Sequence, residues 1–75
     1  MLDIRTNKNN QDIIVLDSYS TTHYVAYNTV THYYELYHDD DCINYFWCDS
    51  DSEAIEYYRV CNIQLYIDCY KDLIP

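Results

Sequence analysis

The chain contains no glycine in its 75 residues. Ordinary usage of about 7% would supply roughly five, and glycine is the residue that enters left-handed backbone conformations without steric cost. Every tight turn therefore falls to other residues, chiefly asparagine and aspartate, whose short polar side chains tolerate positive φ. Phosphate-cradling loops of the Walker and dinucleotide-binding kinds need glycine at fixed positions, so both are excluded.

Those turn residues divide the chain into short elements. Residues 1–11 are polar, and Asn7 to Gln11 has no periodicity, which reads as a mobile lead-in. Asp12 to Tyr19 is a short run rich in β-branched residues and predicts a strand. Ser20-Thr21-Thr22 breaks it. His23 to Tyr27 and Thr31 to His38 predict two more strands, joined through Asn28-Thr29. Asp39-Asp40-Asp41 forms the next turn, and Cys42 to Cys48, with Phe46 and Trp47, predicts a fourth strand. Ser50-Asp51-Ser52-Glu53 fits the S-x-x-E capping box and opens a helix over Ser52–Cys61. Acids crowd its start, where the helix dipole favours them. Ala54, Ile55, Tyr58 and Cys61 share one helical face, while Glu53, Glu56 and Arg59 turn to water. Asn62 is a suitable left-handed cap, and Ile63 to Tyr70 alternates as a last strand. The expectation is a single α+β domain over 1–75, ordered β-β-β-β-α-β. It has about five mainly antiparallel strands with one helix on one face.

A domain this small buries only about 60% of the surface of its unfolded chain, which leaves little room for two lobes or an enclosed active site. Hydrophobic residues at 49% argue for folding rather than disorder. No apolar run reaches the ~18–20 residues that would span a bilayer. Met1 to Lys8 has no apolar stretch behind its basic residues, so a signal peptide is not expected. The expected compartment is the cytoplasm.

Charge narrows the partners. Thirteen acids face four Lys and Arg, a net charge of −9. From Asn9 through Tyr58 there is no Lys or Arg, while Asp12, Asp17, Glu35, Asp39, Asp40, Asp41, Asp49, Asp51, Glu53 and Glu56 all fall in that stretch. Binding nucleic acid or anionic lipid begins by matching phosphates with basic side chains. Neither direct nucleic acid nor membrane is expected as a partner; a basic protein surface is.

Four cysteines and three histidines raise the question of metal. The spacings C-x5-C, C-x12-C and C-x7-C contain no C-x2-C knuckle, and in a reducing compartment buried thiols are favoured over disulfides and over metal. Asp49-Ser50-Asp51-Ser52-Glu53 resembles the opening of a calcium loop, but Ala54 replaces its glycine and Val60 its bidentate glutamate. His38 beside Asp39, with His23 and His32 on neighbouring strands, matches no triad spacing, and no glycine serves an oxyanion turn. No enzyme, cofactor or resident metal is expected.

Eleven tyrosines remain, a residue suited to binding surfaces because it offers area and a polar tip with few rotors to freeze. Carboxylates at alternate strand positions lie about 6.6 Å apart, close to the phosphate spacing along one DNA strand. Asp39, Asp40, Asp41, Asp49, Asp51, Glu53 and Glu56 are expected to line one edge at such spacings. Tyr33, Tyr37, Tyr45 and Trp47 are expected as exposed anchors. In size, acidity and acidic-aromatic surface over residues 9 to 70, the chain resembles small phage-encoded counter-defence inhibitors of the anti-CRISPR and anti-restriction type. No sequence motif carries that resemblance. It implies a DNA-mimic inhibitor, acting in the host cytoplasm, that occupies the basic nucleic-acid-binding groove of a host enzyme such as a CRISPR effector. A monomer is favoured and a homodimer allowed. The alternative is an interaction or assembly module that self-associates through a tyrosine-rich sheet face.

Overall fold

A computed structural model gives the fold, and residues 2–60 are described. Five strands follow one another: β1 (Asp3–Thr6), β2 (Asp12–Ser18), β3 (Tyr24–Asn28), β4 (Tyr34–His38) and β5 (Asp41–Phe46). They form one sheet in the order β1-β2-β3-β4-β5, and every neighbouring pair is antiparallel. Helix α1 covers 51–60. Among the described residues the α+β class, one sheet and one helix agree with the sequence.

The strand inventory differs in one place. The lead-in expected over 1–11 instead supplies β1, with Ile4 opposite Ile14 and Arg5 opposite Ile13. Four residues of an edge strand, three of them exposed, carry too little apolar pattern to be read as a strand. The expected last strand, Ile63 to Tyr70, lies outside the described residues, as do Cys61, Asn62 and Cys69.

The turns show how a chain without glycine reverses direction. Asn10, His32, Asp39 and Asp40 all take positive φ, at 65°, 66°, 53° and 61°. Asp39 and Asp40 together bridge His38 and Asp41, the closing pair of the β4–β5 hairpin. Two consecutive left-handed residues are the signature of a type I′ turn, whose twist matches that of the strands. Asn28 is not at the centre of a tight two-residue turn. It ends β3 fully buried, and a longer loop carries the chain to Tyr34.

Both faces of the sheet bury side chains. On one, Ile13, Tyr24, Ala26 and Tyr37 cluster with Val15. Tyr24 and Tyr37 stack with ring centres 4.9 Å apart, and the Arg5 guanidinium lies 4.3 Å above the Tyr24 ring. Each such contact contributes about 0.5–1.5 kcal/mol beyond burial. On the other face, Val25 and Leu36 meet Tyr58 of α1, with Leu16 and Phe46 beside them. Ala54 and Tyr58 are buried and Ile55 half-buried, as the helical periodicity predicts. The Tyr58 hydroxyl donates to the His23 carbonyl at 3.0 Å, and Arg59 donates to Asp17 at 3.0 Å, tying α1 across the sheet. Among the described residues, no helix is long and apolar enough to cross a membrane.

Buried Asn28 is the polar anchor of the first face. Its Nδ2 donates to Gln11 Oε1 at 2.9 Å and Glu35 Oε1 at 3.1 Å, while its Oδ1 accepts the Val30 and Thr31 amides at 2.9 and 3.0 Å. All four side-chain hydrogen-bonding positions are filled.

Candidate partner-binding edge

The site builds outward from β5, the last strand of the sheet. Its free side has no neighbouring strand among the described residues, and all of it except Phe46 is exposed. A register shift opposite Leu36 and Tyr37 leaves Ile43 as the extra, unpaired residue. Such a bulge bends an edge strand and re-aims its side chains. Ile43, Tyr45 and Trp47 are 61%, 66% and 66% exposed. Tyr45 meets exposed Tyr33 edge-on, ring centres 5.5 Å apart, so the two rings brace each other. Edge strands are usually protected by charges, yet Cys42 to Cys48 carries none.

Acids stand at both ends of this uncharged stretch. Asp39, Asp40 and Asp41 occupy the hairpin turn, and Asp49, Asp51, Glu53 and Glu56 gather around the start of α1. All seven are exposed. Between the two groups runs β5, six residues and about 17 Å long. This corrects the expected even ladder. Only Asp41 is in a strand, so the acids form two clusters rather than a row at phosphate-like intervals.

Several of these acids also hold the fold. Ser50 Oγ accepts the Glu53 amide at 3.2 Å, as a capping box requires, but Glu53 Oε2 reaches back to the Asp49 amide rather than to that of Ser50. Asp51 Oδ1 accepts the Tyr34 hydroxyl at 2.7 Å. Burial, and then that bond to a carboxylate, push the Tyr34 phenol up to about 12. Asp40 accepts the Tyr24 hydroxyl at 3.1 Å, and Lys8 pairs with Asp41. Arg5 is held by Asp3 and Arg59 by Asp17. The described cations are thus committed locally, and no Lys or Arg pairs with Asp39, Asp40, Asp49, Asp51, Glu53 or Glu56 among the described residues.

Of the expected anchors, Tyr33, Tyr45 and Trp47 are exposed and Tyr37 is not. Tyr37 is 4% exposed, stacked on Tyr24, with its hydroxyl donating to Glu35 Oε1 at 2.8 Å. It is a core residue. The alternation of β4 puts a tyrosine on each face, at Tyr34 and Tyr37, and the pattern alone does not say which rings are covered. The reverse holds for Ile43, patterned as an ordinary strand residue yet standing exposed. Its only signal was the lack of any charge near an edge.

The two described cysteines depart from the expected burial. Cys42 is exposed and Cys48 half-buried, and both are free thiols. Cys42 lines a shallow cleft of about 410 Å³ together with Glu35, Tyr37, Lys8 and Asp41. Desolvation of the sulfur and the nearby Glu35 carboxylate raise its pKa, and desolvation with Glu53 and Asp49 does the same for Cys48. A nucleophilic thiol needs the opposite, an electropositive surrounding. Comparison with protein-family models, with curated proteins and with solved structures finds no match to this chain.

Proposed function

We propose that the chain is a non-catalytic, acidic protein-binding inhibitor that docks through β5 on the nucleic-acid-binding surface of a host enzyme. The observation that carries this reading is the pairing of an exposed apolar edge, Ile43, Tyr45 and Trp47, with acidic clusters at both of its ends. The clusters divide the labour with the edge. Carboxylates steer encounter with a basic groove and set its speed, and aromatic side chains, once desolvated, hold the complex. Two clusters separated by a strand length suit a groove with basic residues on both walls. An anti-CRISPR or DNA-mimic protein acting on a CRISPR effector is the specific form proposed.

The test is competition. A CRISPR effector complex is mixed with the protein, and its DNA binding is measured across a salt series. Inhibition should be lost as salt rises. Replacing Asp39, Asp40 and Asp41 together with Asn should slow association and flatten the salt dependence. Tyr45→Ala or Trp47→Ala should instead speed dissociation at an unchanged salt slope. If neither set of changes alters binding to any basic nucleic-acid enzyme, while sedimentation shows self-association, the assembly module takes over. That alternative has less support here, because Tyr24, Tyr34 and Tyr37 are buried in the core and do not form an open tyrosine face.

A further inference from the structure

Three side chains converge on the helix-bearing face, two histidines and Asp39 of the acidic turn. His23 immediately precedes β3 and His38 ends β4, and the register that pairs Tyr24 with Tyr37 sets them opposite each other. Their ring centres are 4.0 Å apart. His38 Nε2 lies 3.6 Å from Asp39 Oδ2. One ligand atom from each of His23, His38 and Asp39 lies within 4.8 Å of the other two. Around a tetrahedral zinc ion such atoms stand about 3.3 Å apart, given metal–ligand bonds of about 2.0–2.2 Å. Closing that difference asks for side-chain rotation of His38 and Asp39, both of which are exposed.

The backbone beneath is already fixed. Asp39 is locked in a two-residue turn at φ 53°. The Asp40 amide donates to the Thr22 carbonyl at 3.4 Å, holding the turn against the loop that carries His23. The His23 carbonyl accepts the Tyr58 hydroxyl from α1. The outer hydrogen bonds of His23 point the same way. Its Nδ1 stands 3.2 Å from both Ser20 Oγ and Thr22 Oγ1. Ser20 Oγ accepts the Thr22 and His23 amides, which fills its lone pairs and leaves its proton to be donated. The Ser20 and Thr22 hydroxyls thus hold the His23 ring at Nδ1 and leave Nε2 as the nitrogen for a ligand, the way a ligating histidine is oriented through its other nitrogen.

We infer that His23, His38 and Asp39 form a binding site for a divalent transition metal of the imidazole-preferring kind, zinc, copper or nickel. Two imidazoles and a carboxylate match the donor preference of these ions and leave at least one position for water. The net charge of −9 adds a general attraction for cations. His32 is not part of the site. It lies in the β3–β4 loop with its Nδ1 2.7 Å from the Tyr27 hydroxyl.

The experiment is a titration of the folded protein with zinc alone and with cobalt(II) alone. One zinc equivalent should bind, and backbone amide shifts should concentrate at Thr22 to Tyr24 and His38 to Asp40. Cobalt should give d–d absorption without thiolate-to-cobalt charge transfer. His23→Gln and His38→Gln should each weaken binding at least tenfold, and Asp39→Asn, which keeps the turn, should also weaken it. His32→Gln should bind as wild type. Undetectable zinc binding, an intense thiolate charge-transfer band, or unchanged affinity in all three site variants would overturn the inference.

Discussion

At the residue scale the fold depends on Asn28, a buried amide whose four hydrogen-bonding positions are all filled. Asn28→Ala strands the Val30 and Thr31 amides and removes a donor from Gln11 and Glu35. An unpaired group kept from water costs about 1–3 kcal/mol; with Val30 and Thr31 exposed, we expect a loss of about 1–2 kcal/mol, measured as a shift of the urea midpoint at constant m-value. Tyr34 gives a pH signature. Its folded pKa is raised to about 12 from the usual 10. Below pH 10 the phenol is neutral in both states and its contribution is intact. Above that the unfolded chain ionises first and releases its proton, so stability falls until the folded phenol also ionises near pH 12. The loss is on the order of 2–3 kcal/mol. Urea melts of wild type and Tyr34→Phe between pH 9 and pH 12 check it: the wild-type curve should fall more steeply.

At the element scale, the helix start tests whether the shifted capping box matters. Ser50→Ala should cost about 1 kcal/mol. Glu53→Gln should cost less, because an amide oxygen can still accept the Asp49 amide now bound by Glu53 Oε2. Helical circular dichroism with thermal melts separates the two. Elements of this kind were legible in the sequence because their signals are local. The S-x-x-E box, the face of Ala54 and Tyr58, the aspartate turn and the four apolar strands each announce themselves within a few residues. What escaped depends on distant partners. β1 is a strand because β2 offers it a ladder, not because Asp3-Ile4-Arg5-Thr6 is apolar. Tyr37 is interior because Tyr24, Glu35 and Asn7 meet it there. Asn28, expected in a turn, is withdrawn into the network of Gln11 and Glu35. The site was half legible for the same reason: the acids could be counted, but their grouping at the two ends of β5 depends on the hairpin register.

At the scale of the whole molecule, like charge works against compactness. Net charge of −9 on 75 residues leaves many carboxylates without a cation to offset them. Raising salt from about 0.01 M to about 0.15 M shortens the screening length from about 30 Å to about 8 Å. Melting temperature should therefore rise by a few degrees over that range, by calorimetry, before any specific ion effect enters. A flat response would mean that the acids are too far apart to repel one another.

The strand order has a kinetic consequence. Among the described residues each strand pairs only with its neighbours in sequence, so each of these ladders closes one short loop. Loop closure of this kind is fast, and chains dominated by local pairings cross their folding barrier sooner than sandwiches and barrels of similar size. The β4–β5 hairpin, with its two-residue turn, has the shortest loop and is the natural nucleus. Stopped-flow refolding should be single-exponential. Lengthening that turn by several residues should slow the folding limb of the chevron and leave the unfolding limb nearly unchanged. A chain built this way can begin to assemble as it leaves the ribosome, strand upon strand, in the order it is made.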